Sequence, residues 1–139
     1  MRDIDGIIDI ARYLTQHYPQ LRVNALKTRQ RVIDAVSGSH NWAMVSERKD
    51  GIVVGALVVF VCDHFWAERQ NAVITLWYSE VPGDGMKMMR EFMRWVNSRR
   101  AIKQIELAID MQYVDHRVGH LLSRCGMIGA EVVYKKFRT

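Results

Sequence analysis

The chain has 139 residues, of which 49% are hydrophobic and 25% are charged. This balance is typical of a globular protein with an apolar core, so it excludes disordered and fibrous classes, and we expect one domain over residues 1–139. The formal charge of +5 is spread in short clusters. A solvated surface explains it better than a nucleic-acid partner, which the charge permits but does not indicate.

Targeting and redox features point to the inside of a cell. The longest apolar run, 52–62, is shorter than the roughly 18 residues of a membrane span, so we expect no membrane partner. The start of the chain, Met-Arg-Asp-Ile-Asp, is acidic where a secretory signal is basic, which favours a cytoplasmic protein. Cys62 and Cys125 lie in or beside apolar stretches and predict two buried thiols in a reducing compartment.

The first part of the chain has the periodicity of helices. In 4–17 apolar residues recur at the spacing of one helix face, and Asp3 or Asp5 can cap the first amides. A second helix is predicted for 24–36, because the breaker Ser37-Gly38-Ser39 follows it.

The middle of the chain has the pattern of an antiparallel meander. A strand starting at Trp42 is followed by the hairpin signal Asp50-Gly51 and by the long β-branched run 52–62. After a polar connection, 72–78 is a third strand, which its composition predicts to be buried on both faces.

The last part alternates between helices and strands. A helix is predicted from Gly85 to about Arg100, a strand around 105–109, a helix around 118–125 and a closing strand at 131–137. The predicted apolar face of the first of these helices consists of Met86, Met89, Phe92, Met93 and Val96. The sequence therefore predicts an α/β fold of order ααβββαβαβ, with a mixed, mostly antiparallel central sheet flanked by helices.

One short stretch, Gly83-Asp84-Gly85, stands between the third strand and the helix that follows. The first turn of a helix leaves about four backbone N–H groups without partners, and glycine lets an anion approach them closely. Two hypotheses follow from the residues alone, a tight turn or a cradle for a phosphate. His116 and His120, at i, i+4 spacing, have no third ligand near in sequence, so we expect no metal site.

Residues 41–137 resemble the GNAT superfamily of acyl-CoA-dependent N-acyltransferases. The resemblance is carried by the order hairpin, central strand, glycine loop, helix, strand, helix and strand, and by "HLLSRCGMIGAEVVYKKF", which is similar to the family's last helix and strand. Gly126 falls on the glycine of the family's pattern and Met127 on its aromatic residue.

The resemblance implies acetyl-CoA as co-substrate and a binding role for each matched residue. In the family the glycine loop binds the pyrophosphate of coenzyme A, and the splayed end of the central strand, here Tyr78 to Val81, pairs with the pantetheine arm. Asp115 stands where the family often has an asparagine near the cofactor. The matched loop residues are Gly83, Asp84, Gly85, Met86, Lys87 and Met88.

The resemblance also implies direct transfer of an acetyl group to an amine of unknown class. Glu80, at the end of the central strand, is the candidate base. Leu122 replaces the tyrosine that commonly acts as general acid, which leaves Ser123, Tyr113 or water for that role. The acceptor pocket is expected to come from loops within 17–40 and 62–71, where Phe65 and Trp66 either shape it or pack over the sheet edge.

A second hypothesis stays open, that the chain is a GNAT-fold protein without catalysis. It rests on Leu122, on Asp84, which places a negative charge where phosphates bind, and on the missing arginine ahead of the glycines. Such a protein would serve as a binding or assembly component, for instance in a phage virion or in host takeover, with a protein partner or a second copy of itself.

Overall fold

The computed structural model describes residues 2–16, 23–37, 40–108, 116–129, 136 and 138. The chain forms two compact units, Met1–Leu107 and Ala108–Thr139. The first unit contains α1 (Arg2–Thr15), α2 (Ala25–Ser37), β1 (Trp42–Glu47), β2 (Val53–Asp63), β3 (Gln70–Ser79), α3 (Asp84–Asn97) and β4 (Ile102–Leu107). The second unit contains α4 (His116–Arg124).

The four strands form one sheet in the order β1-β2-β3-β4. The first two pairings are antiparallel and β4 runs parallel to β3. This confirms the predicted mixed, mostly antiparallel sheet and the element order as far as α4. The predicted closing strand, 131–137, lies outside the described residues except for Lys136.

The β1–β2 connection is the predicted hairpin turn. Gly51 has φ +80°, a conformation that glycine adopts without strain. Its N–H donates to the carbonyl of Arg48 at 2.8 Å, and the Arg48 N–H donates to the carbonyl of Ile52 at 2.9 Å. Asp50 accepts from the Ile52 N–H at 3.1 Å, so backbone and side chain fix the turn together.

Helices cover both faces of the sheet. On one face, α1 and α2 bury their isoleucines and valines against Ala56 and Val58 of β2. The close approach of α1 depends on Gly6, because a Cβ there would lie 2.5 Å from the Cβ of Val53. On the other face, α3 buries Met88, Met89 and Phe92.

The predicted apolar face of α3 is only partly buried. Met89 and Phe92 are fully buried, whereas Met86 and Met93 are half-buried. Met88 is 1% exposed, and a Cβ on Gly55 of β2 would meet its Cε at 3.3 Å. The space left by this glycine accommodates the Met88 side chain.

The prediction that β3 is buried on both faces is also wrong, because Thr75 is exposed and 76–79 are half-buried. The strand buried on both faces is β2, over Val54 to Val59. A β-bulge interrupts the pairing of the two strands, since Val59 is opposite Ile74 and Val58 is opposite Leu76. The extra residue, Thr75, donates its hydroxyl hydrogen to the carbonyl of Val58 at 3.1 Å.

The thiols differ from the prediction as well. Cys62 is exposed and Cys125 is half-buried. The pairing of β1 with β2 ends at Trp42 and Val59, so Cys62 lies on a part of β2 that has no β1 residue beside it.

In the second unit, α4 ends at a left-handed glycine. Gly126 has φ +79°, its N–H donates to the carbonyl of Ser123 at 2.9 Å, and the Met127 N–H donates to the carbonyl of Leu122 at 3.0 Å. These two bonds satisfy carbonyls of the last helical turn and explain why a glycine follows the helix. None of the helices in the described part of the chain is long and apolar enough to cross a membrane.

Candidate active site

A tight turn carries the chain from β3 into α3. The Ser79 hydroxyl donates to the carbonyl of Val81 at 2.9 Å and accepts from the Val81 N–H at 3.1 Å. The Asp84 N–H donates to the same carbonyl at 3.2 Å. Gly83 closes the turn with φ +88°, and an added Cβ would meet nothing within 4 Å, so backbone conformation rather than space requires glycine there.

The first turn of α3 offers two backbone donors. Gly83 is the N-cap residue and no side chain caps this end. The Lys87 N–H donates to the carbonyl of Gly83 at 3.1 Å, whereas the N–H groups of Gly85 and Met86 have no acceptor within the described residues. Two free amides at the positive end of a helix dipole form a site that an anionic oxygen can occupy.

Asp84 is held away from these amides by two partners. One carboxylate oxygen accepts a hydrogen bond of 2.5 Å from the Ser46 hydroxyl of β1, and the other lies 3.6 Å from the Lys87 ammonium. The side chain is only 23% exposed. The sequence placed this charge where a phosphate would bind, but in the structure it is engaged by β1 and partly compensated by Lys87.

Trp77 attaches the beginning of α3 to β3. Its indole N–H donates to the carbonyl of Gly85 at 3.0 Å. A Cβ on Gly85 would lie 3.4 Å from the indole nitrogen and 3.7 Å from the Ser79 Cβ, which is ordinary packing. Of the predicted cradle residues, Met88 is 1% exposed, the Gly85 and Met86 amides have no acceptor within the described residues, and the Lys87 side chain is 74% exposed.

The described pairing of β3 with β4 ends just before this turn. Its last pair is Ile74 with Leu107. After the bulge residue Thr75, Leu76 to Ser79 pair with β2, and residues 109–115, which follow β4 in the chain, lie outside the described residues. A strand edge without a partner can hydrogen-bond to an extended molecule as an added strand does. The predicted splay after the central strand stays a prediction.

A pocket of about 250 Å³ lies on the opposite face of the sheet, between α1 and the ends of β2 and β3. Tyr78 and Glu80 line it, and the Glu80 backbone N–H donates to the carbonyl of Val54 at 2.8 Å. The Tyr13 and Tyr78 rings lie 5.7 Å apart at 55°. Burial raises the pKa of Tyr78, and the Glu80 carboxylate and the neighbouring Tyr13 raise it further. The other residues that line the pocket are Gly6, Asp9, Ile10, Ile52 and Val53.

The structure gathers only some of the predicted site residues. Val81, Gly83, Gly85 and Met86 lie around the turn, whereas Ser123 is an exposed residue of α4 in the second unit. Tyr113 and Asp115 lie outside the described residues. Their proposed roles stay predictions.

The connection between β2 and β3 does not approach the turn. Phe65 and Trp66 are 83% and 86% exposed, and their rings contact each other edge to face at 4.4 Å. They precede β3 and Gly83 follows it, so a strand of about 33 Å by its rise per residue separates the two ends. The exposure of both rings rules out packing over the sheet edge, whereas the role of 62–71 in an acceptor pocket stays a prediction.

Sequence reasoning missed Ser46, Trp77 and Tyr13. Ser46 and Trp77 have no local motif, because their contacts join elements that are distant in sequence. Tyr13 carried one available signal, since an aromatic residue near the end of a predicted amphipathic helix has an apolar surface to place. Within the described residues no group of three or more His, Cys, Asp or Glu could hold a metal.

Comparison with solved structures places this arrangement in a known fold class. Glucosamine-6-phosphate N-acetyltransferase from Arabidopsis thaliana aligns with a TM-score of 0.67 at 17% identity, over 99% of this chain and 93% of that one. An acetyltransferase of Trypanosoma brucei gives 0.69 at 11% identity, over 98% and 93%. An aminoglycoside acetyltransferase from an uncultured soil sample gives 0.65 at 17% identity, over 100% and 90%.

The fold is that of the GNAT acetyltransferases, as the sequence resemblance predicted. No protein-family model matches the chain, and no curated protein matches it by sequence. At identities of 11% to 17% the comparisons show the fold and leave the chemistry to be argued from the residues.

Proposed function

We propose that this protein is an acetyl-CoA-dependent N-acetyltransferase. One observation carries the proposal, namely that the end of β3, beyond its last described pair with β4 at Ile74, leads directly to the Gly85 and Met86 amides, which have no acceptor within the described residues. An edge that can pair with an extended amide-bearing arm, followed by a dipole-assisted anion site, fits the two ends of a coenzyme A molecule. The fold shared with acetyltransferases supports the same ligand.

In the proposed mechanism the two faces of the sheet have different roles. The Gly85 and Met86 amides would hold the pyrophosphate, and the β3 edge would align the arm. Acetyl-CoA, when bound, supplies a thioester whose C–S bond breaks, with the electron pair leaving on sulfur, as the amine nitrogen forms the new C–N bond. Glu80, on the pocket side of the strand end, would accept the proton that the amine loses and pass it to solvent.

The acceptor is proposed to be an amine, bound in the pocket beside Glu80. Two of the similar structures are named as acetyltransferases of glucosamine-6-phosphate and of aminoglycosides, both amine-bearing sugars. The pocket touches the same strand end as the free edge, so an amine held there would approach the thioester from the face opposite α3.

The non-catalytic alternative keeps one specific observation in its favour. The Asp84 carboxylate lies in the first turn of α3, the helix that would hold the phosphates, where it competes with an anionic ligand. The similar structures named above come from a plant, a trypanosome and a soil sample, and nothing in them supports a phage-type origin.

Calorimetric titration and thermal unfolding with acetyl-CoA test the proposal. Ligand at about 100 times its Kd should stabilise the protein by roughly 2.7 kcal/mol, or roughly 5 to 10 °C in Tm. Gly85→Asp should weaken binding about tenfold or more, because it adds a second carboxylate beside the free amides, whereas Asp84→Asn should strengthen it.

The matched control is Glu91→Gln, a charge change on an exposed side of the same helix, where Glu91 pairs with Arg94. It should leave the affinity unchanged. If saturating acetyl-CoA produced neither heat nor a Tm shift, the acetyltransferase proposal would be wrong and the non-catalytic alternative would stand.

A further inference from the structure

The pocket between α1 and the end of β3 has an unusual distribution of charge. Two of its described lining residues, Asp9 and Glu80, are carboxylates, and none is a lysine or arginine. Arg12 approaches Asp9 at 3.5 Å but does not line the pocket, and its side chain is 55% exposed. Both carboxylates are exposed, Asp9 to 75%, so the described lining carries two negative groups in contact with solvent and no lysine or arginine.

Two aromatic rings also favour a cationic ligand in this pocket. Tyr13 of α1 and Tyr78 of β3 meet at 5.7 Å between ring centres, tilted by 55°, and both line the pocket. An ammonium group is attracted to the face of such rings by their quadrupole. Because burial and the neighbouring Glu80 raise the pKa of Tyr78, its phenol stays neutral over the physiological range.

The remaining walls set the size and polarity of the occupant. Ile10, Ile52 and Val53 are apolar, and the absence of a side chain on Gly6 lets α1 approach Val53 closely. A volume of about 250 Å³ is slightly below the roughly 300 to 1,000 Å³ of ordinary small-molecule sites. It suits a compact apolar body ending in one amine, or the end of a longer molecule.

We propose that the acceptor is a cationic primary amine with a compact apolar body and no anionic group near the amine, bound against the contacting rings of Tyr13 and Tyr78 with its ammonium toward Glu80 and Asp9. This assignment rests on the proposed function for the pocket's role as acceptor site. A phosphorylated or carboxylated amine finds no described cation in the pocket to pair with its negative group, so the pocket discriminates against it.

Binding of three probes of similar shape in the absence of acetyl-CoA tests the assignment. The probes are 2-phenylethylamine, 3-phenyl-1-propanol and 3-phenylpropanoate, which are cationic, neutral and anionic, and ligand-observed NMR titration gives their Kd. The cation should bind about tenfold more tightly than the alcohol, and the anion should bind most weakly. Equal affinities for the three would overturn the assignment.

Variants locate the binding. Glu80→Gln and Tyr13→Leu should each weaken 2-phenylethylamine several-fold without changing the affinity for the alcohol by as much, because they remove charge and ring face rather than volume. Glu91→Gln, an equal charge change on α3, should have no effect. Equal losses for all three probes in Glu80→Gln would indicate a structural defect and would count against the assignment.

The two proposals fail in different ways. If acetyl-CoA binds but the pocket shows no preference for the cation, the acceptor class is wrong and the acetyltransferase proposal stands. If the cation binds selectively but acetyl-CoA does not bind, the acetyltransferase proposal is wrong and the acceptor role falls with it. Binding of acetyl-CoA and selective binding of the cation, together with detection of N-acetyl-2-phenylethylamine by mass spectrometry, would support both proposals.

Discussion

The hydroxyl of Ser46 donates a hydrogen bond of 2.5 Å to the carboxylate of Asp84. This bond ties the edge strand β1 to the first residue of α3, across the sheet face that α3 covers. It satisfies Asp84 without using the free amides of the helix, so the anion site and a negative residue coexist within one helical turn.

Ser46→Ala should destabilise the protein by about 1.5 kcal/mol, because it leaves a partly buried carboxylate without its donor. Urea unfolding of Ser46→Ala, Asp84→Asn and the double variant gives the coupling energy between the two side chains. Ser98→Ala, which removes an exposed hydroxyl bonded to the Trp95 carbonyl, serves as control and should cost less. A coupling near zero would show that the bond does not contribute to stability.

Gly6→Ala and Gly119→Ala should change stability in opposite directions, although both glycines lie inside helices. At Gly6 the new Cβ would lie 2.5 Å from the Val53 Cβ, so α1 must shift, at about 1 to 3 kcal/mol. At Gly119 the Cβ meets no described atom within 4 Å, so helix propensity alone should add up to about 1 kcal/mol. Calorimetry measures both, and a loss of stability in Gly119→Ala would contradict the open environment.

Stability should fall in alkaline solution because of Tyr78. Burial raises the pKa of this phenol above its ordinary value of 10.0. The contribution of Tyr78 to the free energy of unfolding is therefore complete at a pH below this ordinary value. As pH rises further, the unfolded chain loses the proton first, and the free energy of unfolding decreases until the folded pKa is passed. Tyr78→Phe should remove this part of the decrease between about pH 9 and pH 11 in urea titrations, and Glu80→Gln should reduce it. An unchanged slope in Tyr78→Phe would assign the decrease to other groups.

Cys62 should react with iodoacetamide in the native state faster than Cys125, because Cys62 is exposed and Cys125 is half-buried. Peptide mapping by mass spectrometry gives both rates, and unfolding in urea should bring them together. Cys62→Ser should remove the fast site while leaving the Tm within about 1 °C, as expected for an exposed position. Thiol-based assays of coenzyme A release are best carried out on this variant.

Local sequence signals predicted most of the fold. Helical spacing, the Asp50-Gly51 turn and the run of β-branched residues define elements whose ends lie within a few residues of the observed ones. These signals arise from contacts within an element or between adjacent ones, so they are readable along the chain.

What the sequence did not predict depends on contacts between distant elements. Cys62, for example, is exposed because β1 ends before reaching it. The glycine loop was found from its local pattern, but the pocket formed with Tyr13 was not, since it exists only once α1 lies against the end of β3. The spacing of hydrophobic residues predicts which face of an element is buried, but it does not identify the element that packs against that face.

The extra residue at Thr75 determines the parity of the central strand. Side chains alternate along a strand, so without the bulge Leu76 and Tyr78 would point toward α3, and Trp77 would point toward α1. Because of this one inserted residue, the Trp77 indole points toward α3, which carries the candidate anion site, and the Tyr78 phenol points toward the proposed acceptor pocket. Deleting Thr75 would exchange the faces to which Trp77 and Tyr78 point. This residue therefore keeps the two halves of the proposed reaction on opposite sides of β3.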